Sequence, residues 1–201
     1  MRALYGRIAT IRFFTVLLYL RLMQKIKSTT ILSVRRGKQV AIGGDGQVTL
    51  GDIAVKHGAK KIRKVYNDRV LLGFAGSASD ALALYEKLEN KLEQYRGNLR
   101  RAAVELARDW RSDRVLRRID ALMIAVDADG AYLLSGGGDV ISPDDGTLAI
   151  GSGGSIAIAA AKALLNHSDF TAAQIVEEAM KITSDICIYT NKQIDIESID
   201  V

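Results

Sequence analysis

Five short blocks of this 201-residue chain carry groups able to do chemistry: Ser28-Thr29-Thr30-Ile31, Gly43-Gly44-Asp45-Gly46-Gln47, Lys60-Lys61-Ile62-Arg63, Gly73-Phe74-Ala75-Gly76 and Gly151-Ser152-Gly153-Gly154. Between them they offer hydroxyls, a carboxylate, ammonium groups and glycine-rich backbone. Taken singly, each has an ordinary reading. Thr29-Thr30 suits the start of a strand. Gly-Asp-Gly is common turn chemistry. Lys60 to Lys64 is a charge run of the kind that is usually solvated. Gly73–Gly76 leads from a strand toward a helix, where free N–H groups and the helix dipole favour negative charge. Gly151–Gly154 has the texture of a phosphate loop, but no Gly-Lys-Ser/Thr follows, so it is not a Walker A motif, and the chain has no other.

The elements that must position these blocks follow from hydrophobic spacing. Thr30–Arg36 and Gln39–Gly43 read as strands joined at Gly37-Lys38. Lys61–Tyr66 and Arg69–Ala75 read as a second hairpin turning at Asn67-Asp68. In the first of these strands, alternation puts Lys61, Arg63 and Val65 on one face and Lys60, Ile62 and Lys64 on the other. Ser77-x-x-Asp80 resembles a capping box, with Ala81, Leu84, Tyr85, Leu88, Leu92 and Tyr95 at helical spacing behind it. After Gly97-Asn98, the positions Leu99, Ala102, Ala103, Leu106, Trp110, Val115 and Ile119 predict a second helix with a basic outer face. Ala121–Val126 and Ala131–Ser135 turn at Asp129-Gly130, and Val140–Ile141 and Leu148–Ile150 follow as short strands. Two more helices are expected, Ser155–Leu165 and one capped by Thr171-x-x-Gln174, with a last strand at Cys187–Tyr189. Hairpin-linked strands imply antiparallel sheets, and helices arriving in pairs imply outer layers. The fold class is therefore α+β, a four-layer αββα sandwich of two antiparallel sheets flanked by helix pairs.

Composition narrows the function classes. Hydrophobic residues make up 48% and charged residues 25%, a soluble globular profile. The single cysteine, Cys187, forms no internal disulfide and is expected to be an inert buried thiol. The net charge of +5 is concentrated at the start. Residues 1–28 hold Arg2, Arg7, Arg12, Arg21, Lys25 and Lys27 and no acidic residue. Removing those six from the 28 basic residues leaves 22 against 23 acidic ones, a net of −1, which argues against a nucleic-acid binder. His57 and His167 sit in turn-like polar surroundings and are not expected to be catalytic.

In order and at this spacing, the Thr-Thr-Ile, Gly-Asp-Gly-Gln, Gly-Phe-Ala-Gly and Ile-Gly-Ser-Gly-Gly blocks are jointly specific. From Thr29 to about Asn191 the chain resembles the bacterial relatives of proteasome β subunits, threonine peptidases of the N-terminal-nucleophile hydrolase fold that serve ATP-dependent proteases. The resemblance implies that Thr29 is the nucleophile once it becomes the first residue. Its own α-amine, with a pKa of about 7.7–8.0, would then lie beside its hydroxyl as the base. Thr30 is the rival if processing falls one residue later. The resemblance also implies that Lys61 acts electrostatically beside Thr29, that Asp45 holds Lys61 charged and aimed, that Gly76 gives a backbone N–H to the oxyanion, and that Ser152 hydrogen-bonds the Thr29 amine. It further implies a monovalent cation, expected to be sodium, held by backbone carbonyls of the 184–190 loop, with Ser184, Cys187 and Thr190 as ligands. The family has glycine where this chain has Ser184, which matters if that glycine needs positive φ. No organic cofactor is implied. The implied partners are unfolded protein substrates and a hexameric AAA+ ATPase unfoldase that spends the ATP, docked on a dodecamer of two stacked hexameric rings. Two rivals remain: an N-terminal-nucleophile amidase acting on small substrates, and a non-catalytic ring subunit. The latter should have lost the nucleophile, lysine or aspartate, yet Thr29, Lys61 and Asp45 are all present.

Two units are expected: residues 1–28 as a leader, propeptide or mis-annotated extension, and residues 29–201 as the peptidase domain. The apolar run Phe13–Leu20 spans eight residues, far short of the ~20 a bilayer needs. An Arg-rich, acid-free start suits an organelle transit peptide. The favoured alternative is a start at Met23, leaving the leader Met-Gln-Lys-Ile-Lys-Ser before Thr29. Localisation follows that choice: cytoplasmic, with the mitochondrion as the alternative.

Overall fold

The computed structural model describes residues 29–200. The leader or extension expected over residues 1–28 lies outside the described residues. Strand β1 (Thr30–Arg36) turns at Gly37, whose φ of 57° suits glycine, into β2 (Gln39–Asp45). A short hairpin, β3 (Val48–Leu50) and β4 (Ile53–Lys56), stands apart as its own two-stranded sheet. Then β5 (Ile62–Val65) and β6 (Val70–Ala75) pair across a turn in which Tyr66, Asn67 and Asp68 all have positive φ. Helices α1 (Ala78–Gln94) and α2 (Leu99–Ser112) and a 3₁₀ turn at Leu116–Arg118 follow. Next come β7 (Leu122–Val126), β8 (Ala131–Ser135), β9 (Val140–Ile141) and β10 (Thr147–Gly151), then α3 (Gly154–His167), α4 (Ala172–Ile186) and β11 (Ile194–Asp200).

Two antiparallel sheets result, one ordered β10-β1-β2-β11 and the other β5-β6-β7-β8-β9. Strand alternation makes the layers. Ile31, Ile42, Leu71 and Ile124 point between the sheets and form the central core. Leu32 and Val34 point the other way, against Val176 and Met180 of α4 and the small Ala157 and Ala161 of α3. Leu72 and Phe74 meet Leu84, Leu88, Leu106 and Trp110 of α1 and α2. This is the expected αββα sandwich, with the two helix pairs outside.

Four details depart from expectation. The last strand is Ile194–Asp200, not Cys187–Tyr189. The Cys187 N–H caps α4 through the Thr183 carbonyl and the Thr190 N–H closes on the Cys187 carbonyl, so the 187–190 stretch is a turn with Ile188 exposed. Helix α2 stops at Ser112 because the Asp113 carboxylate accepts the N–H groups of Val115 and Leu116, opening the 3₁₀ turn instead. Ser77 does sit at the N-cap of α1, but its side chain makes no capping bond, whereas Thr171 and Gln174 form the full reciprocal capping box of α4. The β3–β4 hairpin was not expected from the sequence.

Candidate active site

Strand β2 runs two residues beyond its expected end, and that extension delivers Asp45 to the buried floor of a site beneath Thr29. Both oxygens of the Asp45 carboxylate are engaged. Oδ1 accepts the Thr30 N–H and the Lys61 Nζ, each at 2.8 Å, and Oδ2 accepts the Gln47 N–H at 2.8 Å. Lys61 lies just ahead of β5, outside the ladder. Arg63 and Val65 face Tyr85 and the helix layer as alternation requires, and Ile62 faces the central core. Freed from the pleat, the Lys61 side chain reaches Asp45 and also donates to the Gln47 carbonyl at 2.7 Å. Its side chain is only 9% exposed and that of Asp45 0%. Burial holds the Lys61 pKa below its ordinary value, and the Asp45 charge and hydrogen bond oppose that fall. Tyr85, kept protonated by burial, donates to the Lys61 carbonyl at 3.2 Å and fixes the backbone from which the lysine springs.

The two candidate threonines have different surroundings. Thr30 is completely buried, its hydroxyl 2.7 Å from that of Thr190 and accepting the Gly153 N–H at 3.0 Å. Those bonds turn it toward α3 and α4, away from the two clefts that Thr29 borders. Thr29 borders two clefts. The larger, about 700 Å³, is lined also by Gly76, Arg117, Arg118, Ser135 and Ser152. The smaller, about 240 Å³, is lined by Lys61, Arg63, Phe74, Gly76, Leu82 and Tyr85, and is mostly apolar. Thr29 and Lys61 thus share one cleft wall, and Gly76, between the end of β6 and the start of α1, lies on both.

The glycine loop after β10 locks Thr29 in place. The Ser152 N–H donates to the Thr29 carbonyl at 2.8 Å, and Gly151, at a φ of 89°, runs so close to that carbonyl that a Cβ there would collide with it. Ser152 therefore meets Thr29 through its backbone, and its side chain lies at the exposed rim. Of the residues the sequence singles out, Thr29 and Gly76 line both clefts, Lys61 the smaller and Ser152 the larger, while Asp45 lies buried beneath them, reached through Lys61 and the Thr30 N–H. The sequence reading missed three supports. Thr190 appeared only as a carbonyl ligand, yet its hydroxyl holds Thr30. Gln47 gives its carbonyl to Lys61 and its side chain to Thr49 and the Ile188 carbonyl. Asn191 accepts the Gly46 N–H and donates to the His57 carbonyl, pinning the loop after Asp45. Only Gln47 carried a signal in the sequence, as a polar amide directly after the Gly-Asp-Gly turn.

The 184–190 segment lies at the C-terminal end of α4, behind Thr30. The last carbonyls of a helix lack intrahelical partners and carry the negative end of its dipole, which suits a cation. Ser184 is inside the helix with no positive φ, so a serine sits there without backbone strain. Among the described residues no cluster of His, Cys, Asp or Glu could hold a metal ion. His57 and His167 are exposed, and Cys187 is a buried free thiol.

Comparison with known proteins agrees with this geometry. Residues 26–199 match the family model described as proteasome subunit. The chain is similar to the ATP-dependent protease subunit HslV of Sulfurihydrogenibium sp., at 60% identity over 178 residues, covering 89% of this chain and 100% of that one. The same subunit from Aquifex aeolicus is 58% identical over 175 residues, covering 87% and 99% of the two chains. Among solved structures, the eukaryotic HslV of Trypanosoma brucei superposes with a TM-score of 0.82 at 48% identity, over 86% of this chain and 99% of that one. Thiobacillus denitrificans BPH, at 15% identity and a TM-score of 0.65 over 85% and 97% of the chains, shares the fold. Taken with the sandwich and the site, these matches make the chain a proteolytic subunit of the ATP-dependent type, and it belongs to the proteasome subunit family.

Proposed function

We propose that this subunit cleaves peptide bonds with the Thr29 hydroxyl after the residues preceding Thr29 are removed. The observation that carries the assignment is the buried Asp45–Lys61 pair beside Thr29 on a shared cleft wall, with Thr30 already engaged elsewhere. The freed α-amine of Thr29 takes the hydroxyl proton. The charged Lys61 next to it lowers the cost of that transfer, and Asp45 keeps Lys61 protonated against the pull of burial. Thr29 Oγ1 then bonds to the substrate carbonyl carbon, and the Gly76 N–H stabilises the resulting oxyanion. The C–N bond breaks as the amine proton passes to the leaving nitrogen, giving an acyl ester on Thr29. Water, deprotonated by the same amine, hydrolyses the ester and restores the hydroxyl. Ser152 anchors Thr29 through its N–H, and its rim hydroxyl is the group available to the new α-amine.

The partner in this reading is an HslU-type hexameric AAA+ ATPase that unfolds protein substrates and feeds them to a dodecamer of two stacked rings. The absence of a Walker A motif and the names of the relatives support it. Enclosure keeps an open cleft from degrading proteins indiscriminately. Carbonyls of Ser184, Cys187 and Thr190 would hold a sodium ion, which would stiffen the turn that carries the Thr30–Thr190 contact.

Intact mass and N-terminal sequencing test the reading. A chain beginning at Thr29 is expected, and Thr29→Ala should then lower peptidase activity on the order of 10⁴-fold or more without unfolding the protein. A fully active chain that retains residues before Thr29 would overturn it.

A further inference from the structure

The larger of the two clefts at Thr29 has a charge character that the proposed chemistry does not use. Its far wall is the 3₁₀ turn Leu116–Arg118, from which Arg117 and Arg118 reach the cleft. The turn is held rigidly. Leu116 is buried in the core under α1 and α2, the Asp113 carboxylate caps the Val115 and Leu116 N–H groups, and the Ile119 N–H closes on the Leu116 carbonyl at 2.8 Å. Ile119 packs on the cluster that contains Trp110, and Gly136, across the cleft, lies close against the Trp110 ring. Both guanidinium stems therefore project from a fixed platform. The one acidic residue on this wall is Asp120, against two arginines. On the other side of Thr29, the smaller cleft combines the apolar Phe74, Leu82 and Tyr85 with Lys60, Lys61 and Arg63, of which Lys61 is paired with Asp45 and Arg63 lies over the Tyr85 ring. A peptide lying across Thr29 meets an aromatic wall whose cations Lys61 and Arg63 are already engaged along one flank, and the Arg117–Arg118 wall along the other.

We propose that Arg117 and Arg118 are specificity-determining residues that recognise a carboxylate side chain of the peptide on the flank opposite the cleft of Phe74, Leu82 and Tyr85. A planar guanidinium fits a carboxylate bidentately, and two of them fixed on one turn lose little freedom on binding. The inference rests on Thr29 being the nucleophile. The contact is solvent-exposed, so each arginine contributes a modest factor, and the preference weakens as salt rises.

The test uses the processed, assembled enzyme with its ATPase and two series of short fluorogenic peptides. Each series varies one position, Asp, Asn or Lys, either before or after the scissile bond. In one series kcat/KM should rank Asp over Asn over Lys, with roughly a five- to tenfold span at low salt. Arg117→Ala/Arg118→Ala should bring the ratio of the Asp to the Lys peptide close to one, and Arg117→Glu/Arg118→Glu should invert it. A flat ranking in the wild type in both series, or a ranking unchanged in both variants, overturns the proposal. So does a variant that changes assembly size by light scattering while the ranking stays, because the arginines would then face another subunit. Failure of every peptide to be cleaved, with Thr29→Ala no different from wild type, would instead sink the nucleophile assignment.

Discussion

Two lysines of this protein touch carboxylates at the same distance, and they behave in opposite ways. Lys61 meets Asp45 at 2.8 Å, and Lys181 meets Glu177 and Glu178 at 2.8 Å on the outer face of α4. Lys61 and Asp45 are 9% and 0% exposed, whereas Lys181 and Glu177 are 46% and 49% exposed. Burial drives the Lys61 pKa below its ordinary value, with Asp45 only partly opposing. The hydrogen bonds to Glu177 and then Glu178 push that of Lys181 above it. Contact distance therefore does not identify the functional pair. The informative feature is an ammonium kept in a dry place by a single buried carboxylate, an arrangement that is costly to build and useful mainly for chemistry.

The comparison breaks most sharply at Asp45. Asp45→Ala leaves the Lys61 ammonium buried without its counter-charge and orphans the Thr30 and Gln47 N–H groups. The expected loss is about 3–5 kcal/mol of stability, read by thermal or denaturant unfolding, together with loss of peptidase activity. A variant as stable as one altered at Lys181 would show that the floor is not the dry site described here.

Asp45→Asn sharpens the same point more gently, since it keeps the shape but removes the charge. In the native protein burial lowers the Lys61 pKa and the Asp45 charge raises it. Removing the raising influence moves the pKa further down, so Lys61 loses its proton at lower pH. The alkaline limb of the kcat/KM profile for a peptide substrate should accordingly shift to lower pH. A limb that stays in place, or moves up, means that Lys61 does not titrate in the working range.

Thr30→Val probes the opposite face of the same strand start. It removes the acceptor for the Gly153 N–H and the partner of the Thr190 hydroxyl while keeping the shape. A cost of about 1–3 kcal/mol is expected, with the acylating residue at Thr29 retained. An active Thr29→Ala protein that Thr30→Val silences would reverse the roles assigned to the two threonines.

How much of this was legible in the sequence depended on how local the cause was. β1, β6, β7 and β8 announce themselves by apolar runs between turn residues such as Asn67-Asp68 and Asp129-Gly130, and the two helix pairs by the spacing of Leu84, Leu88, Leu106 and Trp110. β11 was hidden because Asp195 and Glu197 interrupt its isoleucines, and Cys187–Tyr189 looked more strand-like. The β3–β4 hairpin leaves Leu50, Ile53 and Val55 exposed and so carries no core signal. The blocks around Thr29, Asp45, Lys61, Gly76 and Ser152 were readable as motifs. The contact of Thr30 with Thr190, 160 residues away, was not, because only the folded sheet and α4 bring them together.

The smallest effect belongs to the exposed pair, and it is the one that makes the comparison quantitative. Lys181→Ala deletes contacts with Glu177 and Glu178 that are as short as those of the floor. All three groups, however, are already well hydrated, and long side chains lose freedom when they pair, so the net gain from pairing is small and fades with salt. The unfolding midpoint should therefore not move measurably at physiological ionic strength, and peptidase activity should be that of wild type, because α4 is held by Val176, Ala179 and Met180 on its other face. Its sign with pH is also opposite to that of the floor. A lysine whose pKa is raised contributes its stabilisation below 10.5 and loses it as pH rises through the folded value, whereas a lysine whose pKa is lowered relieves a penalty as pH rises toward 10.5. A Lys181→Ala protein destabilised as much as Asp45→Ala would mean that contact distance, and not burial, sets the energy of these pairs.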